Sequence, residues 1–438
     1  MADNAPGQEA EARTQVNGAL WASLIIAWMG WMFDGMEMGL YSWAVPPALK
    51  ELLHVGALPP KEANAVIAPY IGYTVALFLL GMSAGGVFFG RLGDKIGRVK
   101  TMILTVLVYA VFTGLSGFST NVWQLAACRF LGAMGLGGEW GLGVALVMES
   151  WPNTTRPLLA GLLGGAANVG FLIAAGLTRW LAASPMVGTF ANWRVALMLG
   201  FVPAILTLFV RLFVRESERW VEAQQRGERS TFWDLFAPEL KRNSWIGIGL
   251  SAVAVLGMWG VYQAWLQAWV QQLVEAGGGT PQTVGAARAA VSIWMAVGSI
   301  FGAFFGGVLA HSMGRRQSYA VFCVGALVSS LLLYLTCDSF GPRLLAFATL
   351  GGVFAASFFG WLPLYLPELF PTRIRATGEG LTFNCGRIIS AVGVIFTGHI
   401  AKAVGGPARA CAIMAVIYLL GLFVIWRAPE TKGCELPD

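Results

Sequence analysis

The sequence predicts an all-α membrane protein of twelve transmembrane helices, arranged as two pseudo-symmetric six-helix bundles around a central cavity. Three observations predict it. The chain of 438 residues is 56% hydrophobic and only 12% charged, which is more apolar side chain than a soluble core of this length buries. Its apolar stretches are unbroken runs of about 20 residues, the length of a spanning helix, separated by short breaks rich in Gly, Pro, Arg and Asp. The second half of the chain also repeats motifs of the first. Unbroken runs exclude barrel strands, which would alternate.

Taken in order, the expected spans are 18–45, 65–90, 100–119, 122–149, 158–183, 192–214, 245–274, 286–311, 317–336, 342–366, 377–401 and 407–427. Residues 1–17 include Asp3, Glu9, Glu11 and Arg13 and have neither a cationic n-region nor a cleavage site. They are expected to be a cytoplasmic tail rather than a removed signal peptide. The resulting plan is a tail at 1–17, a first bundle at 18–214, a cytoplasmic linker at 215–243, a second bundle at 244–427 and a tail at 428–438. Cys128, Cys323, Cys337, Cys385, Cys411 and Cys434 form no CxxC pair and fall mostly inside spans, so neither disulfides nor a metal site is expected. No cofactor is implied. The net charge of +6 does not indicate nucleic acid, because the basic residues are dispersed among the breaks. Arg91, Lys95, Arg98, Lys100, Arg315 and Arg316 fall on the side assigned to the cytoplasm. The larger share of Lys and Arg joins them there, which predicts a multi-pass inner-membrane protein with both termini cytoplasmic.

The halves are read from a repeat. Gly90-Arg91-Leu92-Gly93-Asp94-Lys95-Ile96-Gly97-Arg98 follows the second span, and Gly307-Val308-Leu309-Ala310-His311-Ser312-Met313-Gly314-Arg315 follows the eighth. Glu149-Ser150-Trp151-Pro152 with Arg156 follows the fourth, and Glu368-Leu369-Phe370-Pro371 with Arg375 follows the tenth. Arg215-Glu216-Ser217 and Pro429-Glu430-Thr431 close the sixth and twelfth. Three matches at nearly one separation define two bundles that can rock about an enclosed cavity.

Gly90 to Lys100 resembles the loop signature of the major facilitator superfamily. Pro367-Glu368-Leu369-Phe370-Pro371-Thr372 and Pro429-Glu430-Thr431-Lys432-Gly433 resemble its sugar-porter and organic-ion branches. Asp34-Gly35-Met36-Glu37 is similar to the Asp-Gly-x-Asp element of the aromatic-acid and sialate proton symporters, with Glu in place of the second Asp. Arg129 with Gly132, Gly135, Gly138 and Glu139, followed by Glu149-Ser150-Trp151-Pro152, resembles the sialate and monocarboxylate branch. The resemblance implies a secondary active transporter that moves a small organic anion with protons by alternating access. The cargo it implies is a monocarboxylate, a sialate-like sugar acid or an aromatic acid. A neutral-sugar porter or proton-driven exporter on the same fold, and a ligand receptor that does not transport, are the alternatives. A monomer in the lipid bilayer is expected.

An ionisable residue at membrane depth costs several kcal/mol and faces a cavity or a partner, so the buried charges carry the most information. They are Asp34, Glu37, Arg129, Glu139 and Arg387. Asp34 and Glu37 are three residues apart on one helical face, which predicts a carboxylate pair. Two close carboxylates in a low-dielectric cavity resist double ionisation, the property a proton-coupling site needs; the competing reading makes one of them a permanent partner of Arg129. Arg129 at similar depth can offer its fork to a substrate carboxylate and return to Glu37. Arg387, in Asn384-Cys385-Gly386-Arg387, has no acidic partner visible in its own half and so invites an anionic ligand. Trp259, Tyr262, Trp265 and Trp269 make an aromatic stripe on the seventh span, with Gln263 and Gln267 beside it, and Trp361 adds to it from the tenth. Either helix packing or a partly apolar cargo explains the stripe.

Gly90 to Lys100 lacks the Lys-Ser/Thr ending of a phosphate loop and follows no strand. With the arrangement the resemblance implies, Asp94, Arg98, Glu149, Glu216, Arg315, Glu368, Arg375 and Glu430 are read as gating charges at the cytoplasmic ends of the spans, topology signalling by Arg and Lys alone being the alternative. The histidines His54, His311 and His399 sit in separate loops or span ends, and no Ser/His/Asp, Cys/His or metal set forms. An enzyme is not expected.

Overall fold

The computed structural model describes residues 18–182, 186–187, 190–202, 214–227, 230–263 and 265–437. The expected tail at 1–17 and residues 203–213 of the expected sixth span lie outside these residues. In the first half the described residues form α1 (Gly18–Leu52), α2 (Pro60–Ile96), α3 (Arg98–Ser116), α4 (Val122–Ser150), α5 (Arg156–Ala182) and α6 (Asn192–Met198). A two-residue hairpin of β1 (Met186–Val187) and β2 (Phe190–Ala191) joins the last two. The linker contributes α7 (Glu218–Gln225). In the second half come α8 (Lys241–Leu256), a π-helical stretch at Gly257–Gln263, α9 (Leu266–Ala276), α10 (Pro281–Met313) and α11 (Arg315–Thr336). α12 (Pro342–Tyr365), α13 (Arg375–Val404), α14 (Pro407–Met414) and α15 (Ile417–Ile425) complete it.

Nine stretches among the described residues are long and apolar enough to cross a membrane. α1 and α13 are long enough as well, but they are interrupted by charge, Asp34 and Glu37 in one and Glu379 and Arg387 in the other. Of the expected sixth span, residues 192–202 and 214 are described. With these three the count agrees with the twelve-helix plan.

Local chemistry explains where the helices begin and break. The Asn121 side chain accepts from the Gln124 amide and starts α4; the Thr280 side chain, followed by Pro281, starts α10. Gly97 and Gly314 take φ of 113° and 93°, so each allows a sharp break between two helices that a residue with a Cβ would strain.

Within the first half, α2 and α3 pack on α4, and α1 packs on α5; within the second, α12 packs on α10 and α11, and α8 on α13. α2 and α4 approach so closely that a Cβ on Gly137 would strike the Met82 backbone. The halves meet where α13 packs on α2 and α4, and where α5 packs on α10 and α12. This meeting is at the end that carries the two Gly-Arg turns, called the motif end below. Gly90 lies against Ala376 there, and Gly164 against Phe359. The apolar core is continuous across the halves at that end, with Phe89, Trp140 and Leu163 in one cluster with Tyr319, Phe358 and Trp361. A second cluster, including Phe33, Tyr41, Phe78, Tyr109 and Trp193, is confined to the first half.

Candidate functional site

α1 presents its small residues to α5: a Cβ on Gly35 would meet Ala167, and one on Gly39 would meet Ala174. That rotation leaves Trp31, Asp34 and Glu37 facing α3, α4 and α13. Gly30, one turn before Asp34, provides the gap that the Glu139 carboxylate occupies. Asp34 and Glu139 are 4% and 2% exposed, and their carboxyl groups lie within hydrogen-bonding range of each other. Neither oxygen of Glu139, nor Oδ1 of Asp34, finds a donor among the described residues.

The expected pairing of Asp34 with Glu37 is thus corrected. Positions three apart differ by about 60° around a helix, enough to send the two acids to different neighbours. Glu37 makes an ion pair with Arg129 and accepts from the Thr113 hydroxyl at 3.4 Å. The Arg129 guanidinium is held between the rings of Tyr41 and Phe78, 3.5 and 3.8 Å from their centroids. It is 4% exposed and enclosed by first-half residues, so the structure brings it to Glu37 and not to Arg387.

Arg387 is half-buried. It stands about 18 Å along α13 from the start of the helix at Arg375. Its Nη1 donates to Asn384 Oδ1 at 2.7 Å, and its guanidinium lies 4.6 Å from the Phe383 centroid. The acid in its field is Asp34, from the opposite half. Sequence reasoning sought that partner only within the second half. Asn384 is a stitch beneath the site: its Nδ2 donates to Gly137 O at 3.2 Å, and its own carbonyl accepts from Ser83 at 3.2 Å.

An aromatic floor joins the halves at the same level. Trp140 stacks on Phe383 at 3.8 Å and 16°, and Trp31 lies 5.4 Å from Trp140 and 6.1 Å from Phe383. The Trp31 indole N–H is buried without an acceptor among the described residues. A small cavity beside it is lined by Ala27, Trp31, Glu139, Trp140 and Leu163. Sequence reasoning missed these rings, although each sits next to a buried charge in the chain: Trp31 three before Asp34, Trp140 directly after Glu139, Phe383 four before Arg387. It also missed Tyr109, whose hydroxyl is buried without a partner among the described residues, in the combined field of Glu139, Asp34 and Glu37.

The aromatic stripe expected on the seventh span is not one stripe. The π-helical stretch at Gly257–Gln263 has more residues per turn than an α-helix and shifts the phase of all that follows. Tyr262 turns into the second bundle, fully buried, and its hydroxyl meets Ser330 at 2.7 Å and Ser329 at 3.3 Å. Gln263 and Trp259 are exposed, while Trp265 packs on the second-half core. Trp361 is fully buried and donates to Arg315 O and to the Ser318 hydroxyl, both at 3.1 Å. Tyr262 and Trp361 are therefore packing residues and not cavity lining.

The gating charges separate into two groups. Arg98 donates to Asp94 at 2.7 Å and to Glu149 at 2.9 Å, and Arg375 reaches across from the second half to the same Glu149 oxygen at 2.9 Å. Asp94 accepts from the Ala376 and Thr377 amides at 3.2 and 2.9 Å, capping the start of α13. Arg98 also donates to Thr372 O at 2.8 Å. Of these contacts, Arg375 with Glu149, Asp94 with the start of α13 and Arg98 with Thr372 cross between the halves. Arg315, Glu216 and Glu430 make no such contact, and Glu368, whose hydrogen bonds stay in its own half, lies in the field of Arg156 across the halves. Arg315 pairs with Glu368 inside the second half. Glu216 accepts from the Val99 and Lys100 amides, both at 3.1 Å, and Glu430 accepts from Arg315 and Arg316 at 2.9 and 3.0 Å. In this structure the hydrogen bonds of these four brace a single half.

Comparison with known proteins agrees with this geometry. The family model described as Major Facilitator Superfamily matches residues 20–336, and the one described as Sugar (and other) transporter matches residues 339–438. A putative metabolite transport protein of Haemophilus influenzae is 30% identical over 432 residues, covering 96% of this chain and 99% of its own. The sialic acid transporter NanX of Escherichia coli K12 is 28% identical over 383 residues, 85% of each chain. Among solved structures, the proton:xylose symporter XylE bound to 6-bromo-6-deoxy-D-glucose superposes with a TM-score of 0.78. It is 18% identical, with 95% of this chain and 98% of that one covered.

Proposed function

The chain belongs to the major facilitator superfamily of membrane transporters, and from that premise we propose that it moves a small organic acid together with a proton by alternating access. The observation that carries this reading is Arg387 lying in the electrostatic field of Asp34 across the two halves, with the Glu139 carboxyl beside that of Asp34. A guanidinium cannot shed its proton to escape a low-dielectric site, so Arg387 requires an anion in every state. Asp34 serves when the site is empty. An acid cargo brings its own carboxylate to the Arg387 fork, and Asp34 gives way. Two carboxyl groups in contact attract only when a proton lies between them, so Asp34 and Glu139 share one in the empty site and take up a second when the cargo carboxylate replaces Asp34 at Arg387. Cargo charge on Arg387 and proton on the acid pair leave the interface no more charged than before, and the halves can close and rock. The rings of Trp31, Trp140 and Phe383 favour a cargo with a flat or partly apolar body.

In this reading Arg129 and Glu37 are a fixed strut of the first bundle, and the bundles at 18–214 and 244–427 are the rocking units. The motif end, where Arg91, Lys95, Lys100 and Arg316 gather, is cytoplasmic, so the closed motif end corresponds to an outward-facing state. The sialic acid transporter among the relatives supports a carboxylate cargo; the sugar-transporter model and the xylose symporter support the neutral-sugar alternative. A thermal-shift panel of sugar acids, aromatic acids, monocarboxylates and neutral sugars separates them, since a ligand stabilises in proportion to ln(1 + [L]/Kd). Stabilisation by acids alone supports the proposal. Stabilisation by neutral sugars, equal in Arg387→Lys and parent, would overturn it.

A further inference from the structure

One buried acid belongs to neither the cargo site nor the salt-bridge network. Glu379 lies on α13, four residues after Arg375, and is 0% exposed. Both of its carboxylate oxygens are buried without a donor among the described residues. Its Cβ faces Gly141 of α4, where a Cβ would come within 3.5 Å, so the side chain is enclosed where the two halves meet. The charged groups facing it are Arg375 on its own helix, Asp94 from α2, Arg98 from α3 and Glu149 from α4. α8, on the opposite side of α13, carries its charges, Lys241 and Arg242, at its exposed start.

Those four neighbours already balance. Arg98 is matched by Asp94 and Glu149, and Arg375 bonds to Glu149, to Thr372 and to the Phe370 and Pro367 carbonyls. An ionised Glu379 would be a surplus anion sealed in a dry interface, with no hydrogen bond to compensate it. We propose that Glu379 is a second proton-binding site, built into the gate: it holds a proton while the motif end is closed and releases it there when the halves part. On opening, water reaches the carboxylate, and Arg375, freed from Glu149, becomes its counter-ion. This requires only that the gate opens during the cycle; it does not depend on the cargo being an acid.

The sign follows from linkage. The closed gate binds one more proton than the open gate, so raising pH favours opening, about tenfold per pH unit between the two midpoints. The test is hydrogen–deuterium exchange of the parent in lipid nanodiscs without cargo. Rates are normalised for the intrinsic pH effect and followed in segments 90–98 and 372–380. Protection in the parent should fall about tenfold per pH unit across one titration. Glu379→Gln should stay protected throughout, while Asp34→Asn should keep the parent's dependence, which separates this site from the cargo site. A parent without pH dependence, or a Gln variant that retains it, overturns the proposal. Should Glu379→Gln not fold, Glu379→Asp serves instead: a displaced midpoint supports the site, and an unmoved one overturns it.

Discussion

The motif ends of the two halves are built alike and work differently. Each has a glycine of positive φ, Gly97 or Gly314, followed by an arginine that pairs with a glutamate at or just past the end of the second helix that follows, Arg98 with Glu149 and Arg315 with Glu368. Each has a glutamate capping the new helix, Glu216 or Glu430. The difference begins where Asp94 of the first half is matched by His311, which is exposed. Asp94 reaches the start of α13, and Glu149 holds Arg375, so the first set locks one half to the other. In the second half Glu368 takes Arg315 and Thr431, both from its own side, while Arg156, the counterpart of Arg375, bonds to the Trp151 carbonyl and to Asn153. The same repeated motif thus bridges the halves on one side only, through one acidic residue and the use of its neighbours' spare valences.

The largest effect should follow from Glu149→Gln, which leaves Arg98 and Arg375 buried together with one fewer anion. Breaking a buried pair costs about 3–5 kcal/mol. The variant should melt lower and expose the motif end to exchange; an unchanged melt with a closed gate would break the comparison. Asp94→Asn should cost less, about 1–3 kcal/mol for hydrogen bonds that lose their charge, and it should open the gate. Glu368→Gln, its control in the other half, should lower the melting temperature and leave gate protection as in the parent. Equal gate opening by both would mean that the halves do not differ as described.

Arg387→Lys keeps the charge but loses the planar fork, and should weaken the acid cargo by about 1–3 kcal/mol in binding isotherms, with folding unchanged. Affinity equal to the parent would make Arg387 structural. The smallest effect is expected of Glu430→Gln. Burial raises the Glu430 carboxyl, but the amides of Arg316, Arg315 and Lys432 outweigh it and hold the group below its ordinary value. Its stabilisation is therefore complete above the unfolded carboxyl's range near 4.3 and disappears as pH falls through the folded value. Near neutral pH the variant should cost about 0.3–1 kcal/mol, the scale of a charge at a helix start, and a melt followed below pH 4 should converge with the parent.

The spans, the two halves and the meeting of Arg129 with Glu37 were legible in the sequence, because hydropathy, repeats and helix depth are properties of the chain in order. The Asp34–Glu139 contact was not. It depends on how α1 is rotated against α4, which Gly30, Gly35 and Gly39 decide through packing that no single helix reveals. Tyr262 was misread for a related reason, since a π-helical stretch changes the period on which the stripe was counted. Glu379 was passed over because it follows so closely on the gate motif that it reads as a span-end charge, yet the first half, through Gly141 of α4, helps to seal it completely.

The most direct test of the account is proton movement driven by cargo. Liposomes containing the purified protein and a trapped pH-sensitive dye, clamped at zero voltage, are given an outside acid selected by thermal shift. The account predicts internal acidification in the parent that matches cargo entry, and none in Asp34→Asn although labelled cargo still exchanges across the membrane. Cargo entry by the parent without acidification, or acidification undiminished in Asp34→Asn, would contradict it.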